Sequence, residues 1–197
     1  MKRFTICGLS VGALLFSVAV LADYPEKPVR IIVPFEPGGG VDIAARTVQP
    51  GLTEALRQPV VIENRSGAGG IIGAAAVAKA APDGYTLLMG SSSTLTVAPN
   101  LYKNIPYSPL RDFAPISGVE TKPYILVVHP VLPAKTVKDL VSLARKASLT
   151  MSSAGTGSSN HLTGELFQML TGVRFTHVPY KGGAPAALAL IGGQVDL

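Results

Sequence analysis

The sequence contains a single cysteine, Cys7, among its 197 residues. Because Cys7 lies in the apolar N-terminal stretch, we expect the remainder of the chain to have no disulfide, no thiolate nucleophile and no cysteine-based metal site. The three histidines, His129, His161 and His177, lack the spacing of metal ligands. We therefore predict that the protein binds no metal and needs no cofactor.

Charged residues are also scarce, at 15% of the chain, and the lysines and arginines are scattered along it. The formal net charge of +5 includes Lys2 and Arg3, which leaves +3 for the residues that follow the N-terminal stretch. Nucleic-acid-binding domains instead concentrate basic residues on one face or along one helix. The composition therefore argues against a nucleic-acid partner.

The N-terminus has the three-part pattern of a secretory signal. A basic start at Met1–Arg3 precedes an uncharged apolar run from Phe4 to Leu21, and the small residue Ala22 suits signal-peptidase cleavage after it. The alternative is a membrane anchor, but the run is at the lower limit of length for a span and is interrupted by glycine and serine. We expect residues 1–22 to be removed, 175 residues to remain, and the protein to be periplasmic.

After residue 22, short β-branched strands alternate with helical stretches, a pattern typical of parallel βαβ units. Strands are predicted at 29–33, 60–63, 85–89, 124–128, 149–152 and 175–178, and helices at 42–57, 71–81, 95–101, 136–147, 159–171 and 184–191. Asp42 and Thr136 are the predicted N-caps of two of these helices. We predict an α/β protein with a first lobe at 23–120 and a second lobe at 121–197.

The last residues, from Val195, read as the start of another strand. A natural domain rarely ends on an apolar residue that enters a parallel sheet. We therefore expect the chain to be truncated and its second lobe to be incomplete.

The predicted strand-to-helix turns are rich in glycine and hydroxyl residues. They span 34–40, 66–70, 90–93, 154–159 and 180–183. In open α/β sheets ligands bind at the carboxyl ends of strands, where glycine admits close approach of backbone N–H groups and helix N-termini favour anions. Five such turns, at equivalent places in two halves, predict a binding site for one small acid.

Four segments of the sequence together resemble a known receptor family. They are V-P-F-E-P-G-G-G-V-D at 33–42, E-N-R-S-G-A-G-G at 63–70, P-D-G-Y-T at 82–86 and H-V-P-Y-K-G at 177–182. In order and spacing they are similar to the Bug family, the extracytoplasmic solute receptors of tripartite tricarboxylate transporters. The resemblance runs from about Tyr24 to the last residue.

The resemblance implies a type II periplasmic-binding-protein fold, with two α/β lobes flanking a cleft, and no enzymatic activity. It implies a small carboxylate ligand held largely by backbone N–H groups and water, and a membrane partner that is either the transporter or a sensor kinase. The ligand contacts carried over by motif are Phe35, Gly38, Gly39, Gly70 and Ser92 from the first lobe, and Thr156, Gly157, Ser159, His161 and Tyr180 from the second.

Two enzyme classes are alternatives. The glycines at 67–73 superficially resemble a nucleotide-binding turn, but they lack its spacing, and no acidic residue ends the following strand. The G-x-S-x-G pattern of hydrolases occurs at 8–12, inside the expected signal, and His161 could pair with a serine of the turn before it. Lys181 is either an attractor of anions or a solvated surface lysine.

Overall fold

The computed structural model describes residues 24–121 and 123–197, so the expected signal peptide and its cleavage site lie outside the described residues. The strands are β1 (Val29–Val33), β2 (Val60–Asn64), β3 (Thr86–Leu88), β4 (Leu149–Ser153) and β5 (Phe175–Pro179). The helices are α1 (Gly40–Leu56), α2 (Ile71–Ala78), α3 (Ala98–Leu101), α4 (Val137–Ala144), α5 (Ser159–Thr171) and α6 (Gly183–Ile191). Within the described ranges no helix has the length and hydropathy to cross a bilayer.

The first lobe is built on a three-stranded parallel sheet in the order β2-β1-β3. Val29 of β1 pairs with Val60 of β2, and Ile31 pairs with Leu87 of β3. The central strand β1 is almost wholly buried because helices cover both of its faces. This arrangement confirms the predicted α/β class.

Each face of this sheet has its own core. Leu87 packs in the cluster shared with α1, whereas its neighbour Leu88 packs against the cluster that contains Ala74 and Ala75 of α2. Successive side chains of a strand point to opposite faces, so one short strand contributes to both cores. Tyr107 closes the second core, and its hydroxyl donates to the Thr94 carbonyl at 2.6 Å. The carboxyl ends of all three strands therefore lie at one fixed edge.

The second lobe contains the two-stranded parallel sheet β4-β5. Helix α4 packs on it through Leu140, which is 2% exposed, and Leu197 joins the same core. The predicted cap of α4 is present, because the Thr136 hydroxyl accepts from the Asp139 N–H and the Asp139 carboxylate accepts from the Thr136 N–H. Residues 195–197 lie beside β4, where the Leu197 N–H donates to the Thr150 carbonyl at 3.1 Å.

The predicted strand at 124–128 is wrong. This segment pairs with no strand of the described residues, and its apolar side chains are exposed, with Ile125 at 80% and Val127 at 53%. β-Branched composition favours a strand, but a strand also needs a neighbour for its backbone groups. The expected lobe boundary at 120/121 falls in the same irregular stretch between α3 and α4.

Several helix boundaries also differ from the prediction. Helix α1 begins at Gly40 with Gly39 as its N-cap, so Asp42 is the third helical residue and not the cap. Pro50 lies inside α1 without splitting it. The helix predicted at 95–101 is a π-helical turn at Ser93–Val97 followed by the short α3.

Candidate functional site

A cavity of about 220 Å³ opens where the two lobes meet. Its walls come from the turns after β1, β2, β4 and β5 and from the residue that follows α3. The lining residues are Phe35, Gly67, Ala68, Gly69, Gly70, Tyr102, Ala154, Gly155, Thr156, Pro179, Tyr180 and Lys181. The cavity therefore lies at the strand ends where an open α/β sheet is expected to bind a ligand.

Four of the predicted contacts line this cavity, namely Phe35, Gly70, Thr156 and Tyr180. Phe35 is only 6% exposed, and its ring packs directly on Gly70. A β-carbon at Gly70 would stand 3.1 Å from the Phe35 Cζ and 2.5 Å from the Thr94 Cγ2. Gly70 also has a φ of +97°, so both space and backbone conformation require glycine there.

Gly38 and Gly39 face the second lobe instead of the cavity wall. A β-carbon at Gly39 would lie 3.6 Å from the Gly183 nitrogen, and one at Gly38 would lie 3.5 Å from the Ala184 Cβ. The start of α1 thus lies against the start of α6. The Glu36 N–H also donates across this junction to the Lys181 carbonyl, at 3.3 Å.

Ser92 and Ser159 bond to each other across the two lobes. Their hydroxyl oxygens are 3.0 Å apart, and the Ser159 hydroxyl lies equally close to that of Ser93. The Ser159 N–H donates to the Ser93 hydroxyl oxygen at 2.9 Å, so a first-lobe side chain satisfies a free N–H at the start of α5. Sequence reasoning missed Ser93, because a serine in a serine-rich turn carries no signal of which neighbour it will meet.

His161 and Gly157 bond to each other beneath the turn that ends β4. The Gly157 N–H donates to the His161 Nδ1 at 3.2 Å, and His161 is not among the cavity-lining residues. Gly157 has a φ of +77°, and a β-carbon there would stand 2.7 Å from Leu101 of the first lobe. Gly157 is therefore part of the contact between lobes.

The turn that follows β2 also approaches the second lobe closely. Gly69 has a φ of +64°, and a β-carbon on it would stand 2.8 Å from the Thr156 carbonyl oxygen. Its neighbour Ala68 also has a positive φ, +48°, which is costly for a residue with a side chain. Strained residues that line a cavity are typical of ligand sites.

Tyr102 is a cavity residue that the sequence analysis did not identify. Its hydroxyl donates to the Thr156 carbonyl at 3.1 Å, and its ring lies beside Gly157. It comes from a short irregular helix end with no glycine motif, so only the packing of the two lobes reveals its position. Tyr102 forms part of the wall and joins the lobes at the same time.

Asp42 positions the first-lobe turn from behind. It is 2% exposed and accepts from the Gly38 N–H at 2.9 Å, the Arg46 Nε at 2.8 Å and the Asn64 amide at 2.9 Å. Burial alone raises the pKa of this carboxyl, but the hydrogen bonds from Arg46, Gly38 and Asn64 outweigh it and lower the pKa to about 2. Asp42 is therefore ionised at neutral pH and holds Gly38 in place.

A serine and a histidine do lie within bonding distance in the second lobe. The Ser153 Oγ is 2.6 Å from the His177 Nε2, but Ser153 is 0% exposed and its hydroxyl also bonds Gly155. A nucleophile must reach its substrate, and this buried hydroxyl is not among the residues that line the cavity between the lobes. In the part of the chain that the structure describes, no group of histidine, aspartate or glutamate residues could hold a metal ion.

Comparison with known proteins gives consistent results. The model of the tripartite tricarboxylate transporter family receptor matches residues 44–197. Protein BugT of Bordetella pertussis is 43% identical over 198 residues, which cover 98% of this chain and 61% of BugT.

The solved structures that resemble this chain are also solute-binding proteins. Rpa4515 of R. palustris with adipate has a TM-score of 0.86 and 40% identity, and MatC of Rhodopseudomonas palustris with bound malate has a TM-score of 0.83 and 36% identity. Each match covers 88% of this chain, but only 59% of Rpa4515 and 60% of MatC.

This chain thus spans about three fifths of the length of the relatives that it matches. The structural neighbours include the periplasmic binding protein BugD, at a TM-score of 0.78, and they share the α/β fold with parallel sheets. The relatives are binding proteins, so neither a nucleotide-dependent enzyme nor a hydrolase is supported. The chain belongs to the tripartite tricarboxylate transporter receptor family.

Proposed function

We propose that this protein is an exported receptor that captures a small carboxylate and presents it to the membrane subunits of a tripartite tricarboxylate transporter. The observation that carries the proposal is the cavity of about 220 Å³ that turns of both lobes build together. It lies at the strand ends, where the α/β architecture favours ligand binding. Closure of the two lobes around a ligand is the expected mode of capture.

The chemistry of the cavity suits an anion. Among the described residues that line it, Lys181 carries a positive charge and none carries a carboxylate. Glycine-rich turns expose backbone N–H groups, which bind carboxylate oxygens well. A volume of about 220 Å³ corresponds to roughly seven water molecules, the scale of a short organic acid.

The relatives narrow the ligand class. Rpa4515 holds adipate and MatC holds malate, both short dicarboxylates, in folds that superpose on this chain at TM-scores above 0.8. We infer a dicarboxylate for this protein too, with Phe35 against its apolar body and Thr156 and Tyr180 near its polar ends. Tyr102 and Lys181 are added to the predicted contacts because both line the cavity.

Export supports the same function. The basic start, uncharged apolar run and small residue at Ala22 are typical of a cleaved signal, which predicts a periplasmic receptor. Ser153, which lies beside His177, has its buried hydroxyl bonded within the protein, so it offers no nucleophile for a covalent step. We therefore propose reversible binding and no catalysis.

The direct test is calorimetric titration of the full chain with malate, adipate and a panel of mono- and tricarboxylates. The site variant is Gly69→Ala, since its new β-carbon would meet the Thr156 carbonyl oxygen and keep the lobes apart. We expect Gly69→Ala to lower the affinity for the preferred acid by more than about tenfold. Gly51→Ala is the matched control, because a β-carbon at Gly51 meets nothing within 4 Å.

Saturable binding of a dicarboxylate that is weakened in Gly69→Ala and retained in Gly51→Ala supports the proposal. A wild-type protein that melts cooperatively and binds no carboxylate of the panel contradicts it. Equal affinity in wild type and Gly69→Ala would place the ligand outside this cavity.

A further inference from the structure

Two histidines lie stacked beneath the turn that closes the second-lobe side of the cavity. The ring centroids of His161 and His177 are 3.9 Å apart and their planes differ by 24°. His161 comes from the first turn of α5, and His177 comes from the middle of β5. Neither ring lines the cavity, so a direct ligand contact does not explain the pair.

The two rings hold the two glycines that flank Thr156. The Gly157 N–H donates directly to the His161 Nδ1 at 3.2 Å. The Gly155 N–H donates to the Ser153 hydroxyl oxygen at 3.1 Å, and the His177 Nε2 lies 2.6 Å from that same oxygen. The histidine pair thus fixes the backbone on both sides of a cavity residue.

The bond from Gly157 defines the protonation state of His161. An imidazole nitrogen that accepts an N–H must keep its lone pair, so the proton of the neutral His161 ring is on Nε2. That Nε2 faces the Glu165 carboxylate at 3.6 Å. A proton added at Nδ1 removes the acceptor, and the Gly157 N–H loses its partner.

The surroundings of the pair oppose a second positive charge. Burial lowers the pKa of His177, its neighbour His161 lowers it further, and Glu165 acts in the opposite direction. Glu165 is the acidic side chain that faces the rings, and it is 51% exposed, so water weakens its effect. Two imidazolium rings at 3.9 Å would repel each other.

We propose that His161 and His177 are positioning residues for the second-lobe ligand turn, acting as two neutral imidazoles, so that acidification loosens residues 153–157 and weakens carboxylate binding. The proposal rests on the proposed function, because the turn matters only if the cavity binds a ligand. It adds a pH dependence that the protein itself supplies, separate from any protonation of the ligand.

The first test needs no ligand. The Gly157 amide and the histidine ring protons of the full chain are followed by NMR as the pH is lowered from about 8 to about 5.5. We expect the Gly157 amide signal to move in step with protonation of the His161 ring. His161→Asn places an amide oxygen near the Nδ1 position and cannot titrate, so its Gly157 signal should stay fixed.

His129→Asn is the matched control. The His129 Nδ1 also accepts a backbone N–H, from Val131 at 3.3 Å, but it lies in the segment between α3 and α4. The same substitution there should leave the movement of the Gly157 signal as in the wild type. A Gly157 signal that stays fixed while His161 protonates, or that moves equally in His161→Asn, would overturn the proposal.

The second test measures malate and adipate affinity across the same pH range. Relative to His161→Asn, the wild type should lose about tenfold in affinity at the acidic end, because one linked proton changes affinity by up to about tenfold per pH unit. His161→Leu, which has no acceptor, should bind more weakly than His161→Asn at every pH. Protonation of the ligand affects all variants equally at a given pH, so it cancels when their affinities are compared pH by pH.

The outcomes separate the two proposals. Binding whose pH dependence is the same in wild type and His161→Asn overturns the role of the histidines and leaves the receptor function intact. Absence of binding in every variant at about pH 8 counts against the receptor function. In that case the NMR titration, which needs no ligand, still tests whether the histidine pair positions the turn.

Discussion

The two lobes hold the turns that border the cavity with the same local geometry and different chemistry. In the first lobe the Gly38 N–H donates to Asp42, four residues later and third in helix α1. In the second lobe the Gly157 N–H donates to His161, also four residues later and third in helix α5. Each lobe thus fixes a glycine of its turn with a side chain from the first turn of the following helix.

The chemical difference lies in the acceptor, which is a carboxylate in the first lobe and a neutral imidazole nitrogen in the second. The Asp42 carboxylate lies at a positive helix N-terminus and also binds Arg46 and Asn64, so it stays charged throughout the neutral range. His161 provides one neutral lone pair, which is lost on protonation. The first-lobe turn should therefore keep its acceptor throughout the neutral range, whereas the second-lobe turn depends on a lone pair that a proton would occupy.

The largest effect is expected when the first-lobe contact is removed. Asp42→Ala leaves the Gly38 N–H and the Asn64 amide without their buried acceptor, so the free energy of unfolding should fall by about 3 kcal/mol. Urea denaturation measures this change. Arg46→Ala is the control, because the Arg46 side chain is 50% exposed and its removal should cost about 1 kcal/mol or less. Equal costs would mean that the ion pair dominates.

An exchange of both residues for asparagine sharpens the comparison. Asp42→Asn removes the charge that strengthens three hydrogen bonds and should cost about 2 kcal/mol of unfolding free energy. His161→Asn retains an acceptor for Gly157 and should cost less than about 1 kcal/mol. The measurement is urea denaturation of the two variants at neutral pH. If His161→Asn cost more unfolding free energy than Asp42→Asn, the imidazole would stabilise the fold through its packing on His177 and not through its lone pair.

The same comparison should also be visible in the dependence of stability on pH. The pKa of Asp42 is lowered from 3.8 to about 2 in the folded state, so its contribution is present above about pH 4 and is lost between about pH 4 and pH 2. The shift corresponds to about 2 kcal/mol. The pKa of His177 lies below its ordinary value of 6.5, so its contribution is present above that pH and falls as the pH drops below it.

Thermal melts across this range test both steps. The wild type should lose stability in two stages as the pH falls, one below about pH 6.5 and one below about pH 4. His177→Gln, which can still bond Ser153 and does not titrate, should lack the upper stage. Asp42→Asn should lack the lower stage. A single stage that persists in both variants would show that other groups control the pH dependence.

Much of the fold could be predicted because local patterns and burial agree. The strand at 29–33 and the helix at 159–171 were predicted at the bounds that the structure has, since a β-branched, mostly apolar run favours a strand and a helical stripe favours a helix. The segment at 124–128 was misjudged for the opposite reason. Its side chains suit a strand, but strand formation depends on a neighbour elsewhere in the chain.

The candidate site was only partly predictable. Turns rich in glycine identified Phe35, Gly70, Thr156 and Tyr180, because glycine after a strand is a local signal of close approach. Tyr102 and Ser93 carry no such signal, since their roles come from contacts with residues more than 50 positions away. The predicted ligand residues themselves remain predictions until a bound acid is observed.

The motifs of the sequence indicated the family. The sequence by itself also determined the α/β class, most of the order of strands and helices, and the places where the chain must turn. These follow from periodicity and from glycine, which act over a few residues. Only the tertiary structure decided which turns form one cavity, that Ser92 and Ser159 bond each other, and that two histidines stack beneath Thr156. Such contacts join groups from different turns, and no local pattern specifies the distance between them.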